Sequence, residues 1–353
     1  MNIRQASSQY ESWMSAQVRL LPADLRLKHE RMRQGPFPFL RATYYRWAQV
    51  WPEACARFGL GPPVLSVGDL HVENFGTWRD AEGRLVWGVN DFDEAYPLPY
   101  TNDLVRLAAS AFLAVEELDV SPKHAAGEIL RGYGEGLKAG GRPFVLADRS
   151  NPLRDMARHR LNEPEKFWNK LRELVPLKKQ PRAEVIEAIC ATLPAGRIPL
   201  RFAHRIAGLG SLGRERYTGT GVSQGAQIAR EAKAGALSAC LFAEGKAGGA
   251  VYAEEIVRQA VRAQDPFWKV RGSWIVRRLS PDCFRLELAH LPRERDELYL
   301  LYCMGWETAN IHLGSGAPGA ILRDLRGKGR HWLFKAASVM REQVLRDWRE
   351  FST

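Results

Sequence analysis

Apolar and polar positions along the chain fall into two textures. Residues 1–60 carry helical spacing, interrupted at Gly35-Pro36-Phe37-Pro38. Val64-Leu65-Ser66-Val67 is a short apolar run closed by Gly68, which predicts a buried strand. Arg84 to Asn90 alternates Leu85, Trp87 and Val89, which predicts a second strand. Asn102 is placed to cap a helix starting near Asp103, with Leu104, Leu107, Ala108, Ala111 and Val115 at helical spacing. Residues 121–193 read as polar and helical, broken by Gly140-Gly141, Pro152, Pro164, Pro176 and Pro181. From Leu200 to about Leu279 the pattern changes to glycine-rich turn, strand, helix, strand. Residues 293–313 return to helix, and His331–Phe351 reads as an amphipathic C-terminal helix. Neither an internal repeat nor a low-complexity segment occurs.

A chain of 353 residues can bury a sizeable core and divide into two sub-domains. Apolar residues at 45% and charged residues at 26% fit a globular protein. The first residues, MNIRQASSQYESWM, lack the apolar stretch of a secretory signal, and no apolar run is long enough to span a membrane. The five cysteines are scattered without C-x-x-C spacing, as expected of reduced thiols in a cytoplasmic protein. A net charge of +11 is compatible with an acidic partner such as a nucleotide, and equally with an arginine-rich surface. Nothing else points to nucleic acid, since zinc-finger spacing and RNA-binding signatures are both missing.

The chemistry concentrates in Gly68-Asp69-Leu70-His71-Val72-Glu73-Asn74-Phe75 and Asn90-Asp91-Phe92-Asp93-Glu94-Ala95. An Asp following a buried strand sits at a fixed place on the rim of the core. Asn74 comes five positions later, and a second Asp follows after another strand. Phosphoryl transfer from ATP needs a carboxylate to orient the acceptor hydroxyl. It also needs an amide oxygen and a further carboxylate to hold the magnesium that bridges the phosphates. All three are hard oxygen donors, suited to Mg²⁺ and poor for zinc.

G-D-L-H-V-E-N resembles the kinase catalytic loop H-R-D-L-x-x-x-N, with the same Asp-to-Asn spacing, and Asp91-Phe92-Asp93 matches the D-F-G position. The continuation through Ala95 to Asp103-Leu104 is similar to the aminoglycoside phosphotransferase and choline kinase branch. The resemblance implies Asp69 as catalytic base, Asn74 and Asp91 as metal ligands, and Asp103 as the residue that steadies the catalytic loop. A plain first-turn helix acid is the other reading of Asp103. His71 stands where protein kinases carry a catalytic-loop lysine, and either contacts a phosphate or braces the loop. Asp93 is either a second metal carboxylate or a solvated or capping acid. More widely, F-P-F-L-R at 37–41, G-D-L-H-V-E-N-F-G, N-D-F-D-E-A, D-L-V-R-L-A-A-S and G-L-G-S-L-G resemble the bacterial family filed as domain of unknown function 2252.

Gly208-Leu209-Gly210-Ser211-Leu212-Gly213 fits G-x-G-x-x-G, a weak signal alone. A strand-like segment with Arg230 and Lys233 follows, as a phosphate-pairing lysine follows the kinase glycine loop. Lys233 is the natural candidate, and the alignment to the bacterial family points nearer to Arg230. The two point to opposite faces of a strand, so at most one of them serves. Glu254, Glu255 or Glu231 could pair with the lysine. Gly208, Gly210, Ser211 and Gly213 would cover the ATP phosphates. Kinases run glycine loop, lysine, helix, catalytic loop, metal Asp, whereas here the catalytic loop comes first.

The expectation is therefore an α+β, two-lobed, protein-kinase-like fold, circularly permuted, acting as an ATP- and Mg²⁺-dependent phosphotransferase on an unknown hydroxyl. Its large lobe is expected from 1–195 and 285–353, and its small nucleotide lobe from 196–284. Arg295–His312 stands in for the helix leading to the catalytic loop, and 121–193 for the acceptor site. The rivals are a catalytically inactive nucleotide-binding or interaction module, an AMP-transferring enzyme on the same fold, and a metallophosphoesterase built on Asp69-Leu70-His71.

Overall fold

A computed structural model describes residues 1–114, 120–148, 152–158, 163–196, 198–286 and 296–353. It is an α+β protein whose strands are β1 (Pro63–Ser66), β2 (Phe75–Arg79), β3 (Leu85–Val89), β4 (Tyr96–Pro99), β5 (Phe144–Val145), β6 (Arg201–His204), β7 (Arg216–Ser223), β8 (Ala226–Ala234), β9 (Lys269–Arg271) and β10 (Trp274–Leu279). They form three antiparallel sheets: β1 with β4, β2-β3-β5, and a five-stranded sheet in the order β6-β7-β8-β10-β9. The five-stranded sheet runs from Arg201 to Leu279, where the sequence shows the glycine-rich texture. Among the described residues, no helix is long and apolar enough to cross a membrane.

The helical part is built around Thr101–Ala114, which is buried from Thr101 to Leu113. Val115 lies outside the described residues. The C-terminal helix Trp332–Ser352 lays its apolar stripe, including Leu333, Ala337, Met340 and Val344, into the same core. The helices Pro122–Lys138 and Asp296–His312 cross at very short range because glycines face the crossing. A β-carbon on Gly132 would lie 1.9 Å from the Tyr302 carbonyl oxygen, and one on Gly305 would lie 2.0 Å from that of Ile129. The predicted helix over 293–313 is described from Asp296, with residues up to Arg295 outside the described range.

Two expectations change. The helix begins at Thr101, so Asn102 is not its cap. Its amide turns inward, accepting from Trp47 Nε1 at 3.0 Å and donating to the Gly68 carbonyl at 3.2 Å. The stretch 121–193 is also not wholly helical: beside the helices Pro122–Lys138, Pro152–Arg158, Pro164–Arg172 and Ala183–Cys190 it holds β5, which extends the β2–β3 hairpin.

The chain leaves β10 and runs back along β2. The Thr77 amide donates to the Phe284 carbonyl at 2.9 Å, Thr77 Oγ1 donates to the Asp282 carbonyl at 2.6 Å, and Gly76 bridges to Arg285. This short pairing fastens the five-stranded sheet to the hairpin that joins Asn74 to Asn90.

Candidate active site

Asp69 follows β1 through Gly68, whose φ of +81° an L-residue rarely adopts. A side chain at Gly68 would also strike the Glu94 carbonyl, 2.3 Å from an added β-carbon. Asp103 fixes this turn from below. Its carboxylate, fully buried, accepts the Val67 amide at 2.7 Å, the Gly68 amide at 3.0 Å and His312 Nε2 at 3.0 Å. Tyr133 hydrogen-bonds His312 Nδ1 at 2.9 Å, so both crossing helices reach the loop through one buried chain. Asp103 touches backbone, His312 and Asn102 and does not line the cleft, so it positions the turn.

Asp69 accepts Arg106 Nε at 2.7 Å. Arg106 is itself buried, gives a second N–H to the Leu40 carbonyl at 2.9 Å, and lies over the rings of Tyr44 and Trp47. Burial pushes the Asp69 carboxyl up to about 6, against the opposing pull of Arg106. The Asn74 amide nitrogen donates to the Asp69 carbonyl. Only an N–H can pair with a carbonyl, so the Asn74 oxygen is left over for another partner. His71 accepts the Glu73 amide on Nδ1 at 3.2 Å, and burial with nearby Arg41 holds it well below its usual range and neutral.

Asp91 is 35% exposed into the cleft, with Lys233 Nζ 3.3 Å from Oδ1. Asp93 is buried between two cations, Lys233 at 2.6 Å and Arg214 at 2.6 Å. These cations hold its carboxyl well below the usual range against desolvation. The sequence left Asp93 open as a metal carboxylate; both of its oxygens are instead engaged by cations, which disfavours a divalent ion there.

The late glycine segment comes to this same place. Gly208, Gly210 and Ser211 line one cleft with Asp69, His71, Asn74, Asp91 and Asp93. A β-carbon on Gly210 would lie 3.5 Å from Asp69 Oδ2. Gly213 is not in that lining and packs on Leu25. Ser211 Oγ accepts Arg216 Nη2 at 2.7 Å, and Lys28 Nζ donates to the Gly210 carbonyl at 3.1 Å. Burial brings the Lys28 amine down to about 8.

Lys233 and Arg230 lie on opposite faces of β8, and only Lys233 reaches the acids. Arg230 gives Nε and Nη2 to the Thr192 carbonyl and stacks on Phe267. None of the three glutamates considered for Lys233 holds it. Glu231 shares its face but is taken by Arg205, Arg216 at 2.6 Å and Arg277 at 2.8 Å. Glu254 is exposed, and Glu255 accepts from Gln259.

Sequence reasoning missed Arg106, Arg214, Lys28 and Glu94. Arg106 was findable, three residues beyond Asp103 and hence on the same helix face. Glu94 stands inside the quoted N-D-F-D-E-A but its partners Ser238 and Ala239 are distant in sequence, and Arg214 and Lys28 have no local signal. Glu94 accepts the Ala239 amide at 2.6 Å and Ser238 Oγ at 3.1 Å, and burial lifts it to about 7.

Among the described residues, no group of three or more His, Cys, Asp and Glu side chains is arranged to hold a metal ion. Asp91 and Asn74 offer one carboxylate and one amide oxygen. That donor set fits a magnesium ion that draws its remaining ligands from phosphates and water, not an all-protein cage.

The model of a family described as "Uncharacterized protein conserved in bacteria (DUF2252)" matches residues 19–143. The matched stretch contains Asp69, Asn74, Asp91 and Asp103 and ends before the glycine segment. No curated protein matches the chain, and no solved structure does.

Proposed function

We propose that this cleft is an ATP- and magnesium-dependent phosphotransferase site on a protein-kinase-like, circularly permuted α+β fold. One observation carries the reading: a glycine turn that lines one cleft with the acids, and a strand lysine that pairs with two of them, both enter more than a hundred residues later in the chain. The five-stranded sheet adds support. Its first two strands flank the glycine turn and its third in chain order, β8, carries Lys233, as the third strand does in kinases. Active-site chemistry depends on proximity in space, so chain order is free to differ.

When bound, magnesium would neutralise phosphate charge, held by Asp91 and the Asn74 amide oxygen. The chain's own groups do the rest. Backbone N–H groups of Gly208 to Ser211 approach phosphate oxygens. Lys233 gives its charge to the phosphates once it leaves Asp91. Asp69, ionised above about pH 6, takes the acceptor hydroxyl's hydrogen bond on Oδ2 while Arg106 holds Oδ1. Free space in this cleft is only about 40 Å³, so nucleotide entry requires the glycine turn to move off the acids.

The test is turnover of ATP against a panel of hydroxyl-bearing metabolites and proteins, with Asp69→Asn as control. Asp69→Asn is expected to lower kcat by roughly 10²–10⁴-fold with ATP binding retained. An Asp69→Asn enzyme as fast as the wild type would remove Asp69 from the chemistry.

A further inference from the structure

Beside the cleft, and opening into it at Gly208 and Arg285, lies a pocket of about 250 Å³. Arg205, Arg262, Arg277, Arg278 and Arg285 line it against a single carboxylate, Asp265. Three of these arginines are answered elsewhere: Arg205 and Arg277 bind Glu231, and Arg285 binds Glu73. Arg262 and Arg278 form no ion pair among the described residues. Arg262 Nε and Nη1 are buried without a hydrogen-bond partner, and so is Arg278 Nε.

Ring contacts fix these guanidinium groups without answering their N–H edges. Arg262 lies over Trp78 at 4.6 Å and over Phe92 at 5.0 Å, and Arg278 lies over Phe267 at 4.6 Å. Arg278 Nη2 donates to the Arg79 carbonyl at 3.3 Å. Asp265 accepts the Phe267 amide at 2.9 Å, and burial raises its pKa, which weakens its opposition to an anion. A buried guanidinium with open donors is an unfavourable arrangement unless something supplies acceptors. Its best-matched partner is a phosphate or carboxylate gripped by the planar fork. Trp78 and Phe92 are covered by Arg262, and Trp268, half-buried in the same lining, gives the pocket an aromatic ring for a flat ligand to meet.

We propose that this pocket binds a phosphorylated ligand with a planar ring, of the nucleoside phosphate class, its phosphate held by Arg262 and Arg278 without a divalent metal. The site goes beyond the phosphotransferase reading, because none of its contacts involves Asp91, Asn74 or the strand lysine.

Calorimetric titration of the full chain in EDTA, with AMP, GMP and adenosine, tests it. At least one monophosphate binds, adenosine binds at least about tenfold more weakly, and inorganic phosphate competes. Arg262→Lys and Arg278→Lys, which keep charge but lose the fork, each weaken binding about tenfold or more, while Asp91→Ala does not. The wild-type arms need no variant to fold. No monophosphate binding in EDTA, equal affinity for adenosine, or unchanged affinity in both lysine variants overturns the pocket. The two proposals fail separately: monophosphate binding together with magnesium-dependent ATP binding that survives Asp91→Ala leaves the pocket standing and removes the cleft's metal site.

Discussion

At the scale of single residues, the cleft is decided by which carboxylates are already taken. Asp93 is held by two cations, Asp69 by one, and Asp91 by a single longer contact. Asp91 is therefore freer than Asp93 to take a further partner, and Asp69 keeps one oxygen clear of Arg106. The raised pKa of Asp69 sets the pH dependence. A raised carboxyl is protonated through the acid range, so the base form accumulates only as pH climbs through about 6. Turnover is expected to rise through that value, measured as kcat/KM between pH 5 and 8. A flat profile would contradict Asp69 as base. Arg106→Met leaves the partly buried Asp69 carboxylate without its counter-ion. The expected outcome is a shift of that inflection to higher pH and a loss of about 3–5 kcal/mol in urea unfolding.

At the scale of elements, the loop bearing Asp69 is held by the helix beneath it. Asp103→Ala orphans the buried amides of Val67 and Gly68, at about 1–3 kcal/mol each, and releases His312. Thermal unfolding should report the loss, with the amides of the turn at Val67 to Asp69 losing protection from hydrogen exchange first. Gly305→Ala places a methyl 2.0 Å from the Ile129 carbonyl, so the two crossing helices must separate. It is expected to destabilise by about 1–3 kcal/mol, read as a lower denaturation midpoint. The sequence shows some of these elements and hides others for physical reasons. β1 and β3 are legible because Val64-Leu65 and Leu85-Trp87-Val89 carry the apolar and alternating signals of buried strands. β2 holds Gly76, and β4 holds Pro97 and Pro99, which weaken any strand signal. The Asp69-to-Asn74 spacing is local and therefore readable. Asp93 is not, because its partner Arg214 lies 121 residues away and no local pattern marks it.

At the scale of the whole molecule, one convergence matters. Lys233 and Asp91 are 142 residues apart and come within 3.3 Å. The five-stranded sheet is fastened by residues 282–285 to the β2–β3 hairpin, which joins Asn74 to Asn90. That fastening sets the distance between the glycine turn and the acids. A nucleotide bound as proposed would draw Lys233 away from Asp91. The most direct measurement is a thermal shift with ATP, with and without Mg²⁺, on the wild type and on Asp91→Ala. A magnesium-dependent rise in Tm that disappears in Asp91→Ala is the expected result. A rise of equal size in both proteins, or none in the wild type at millimolar Mg–ATP, would contradict a metal-bound triphosphate in this cleft.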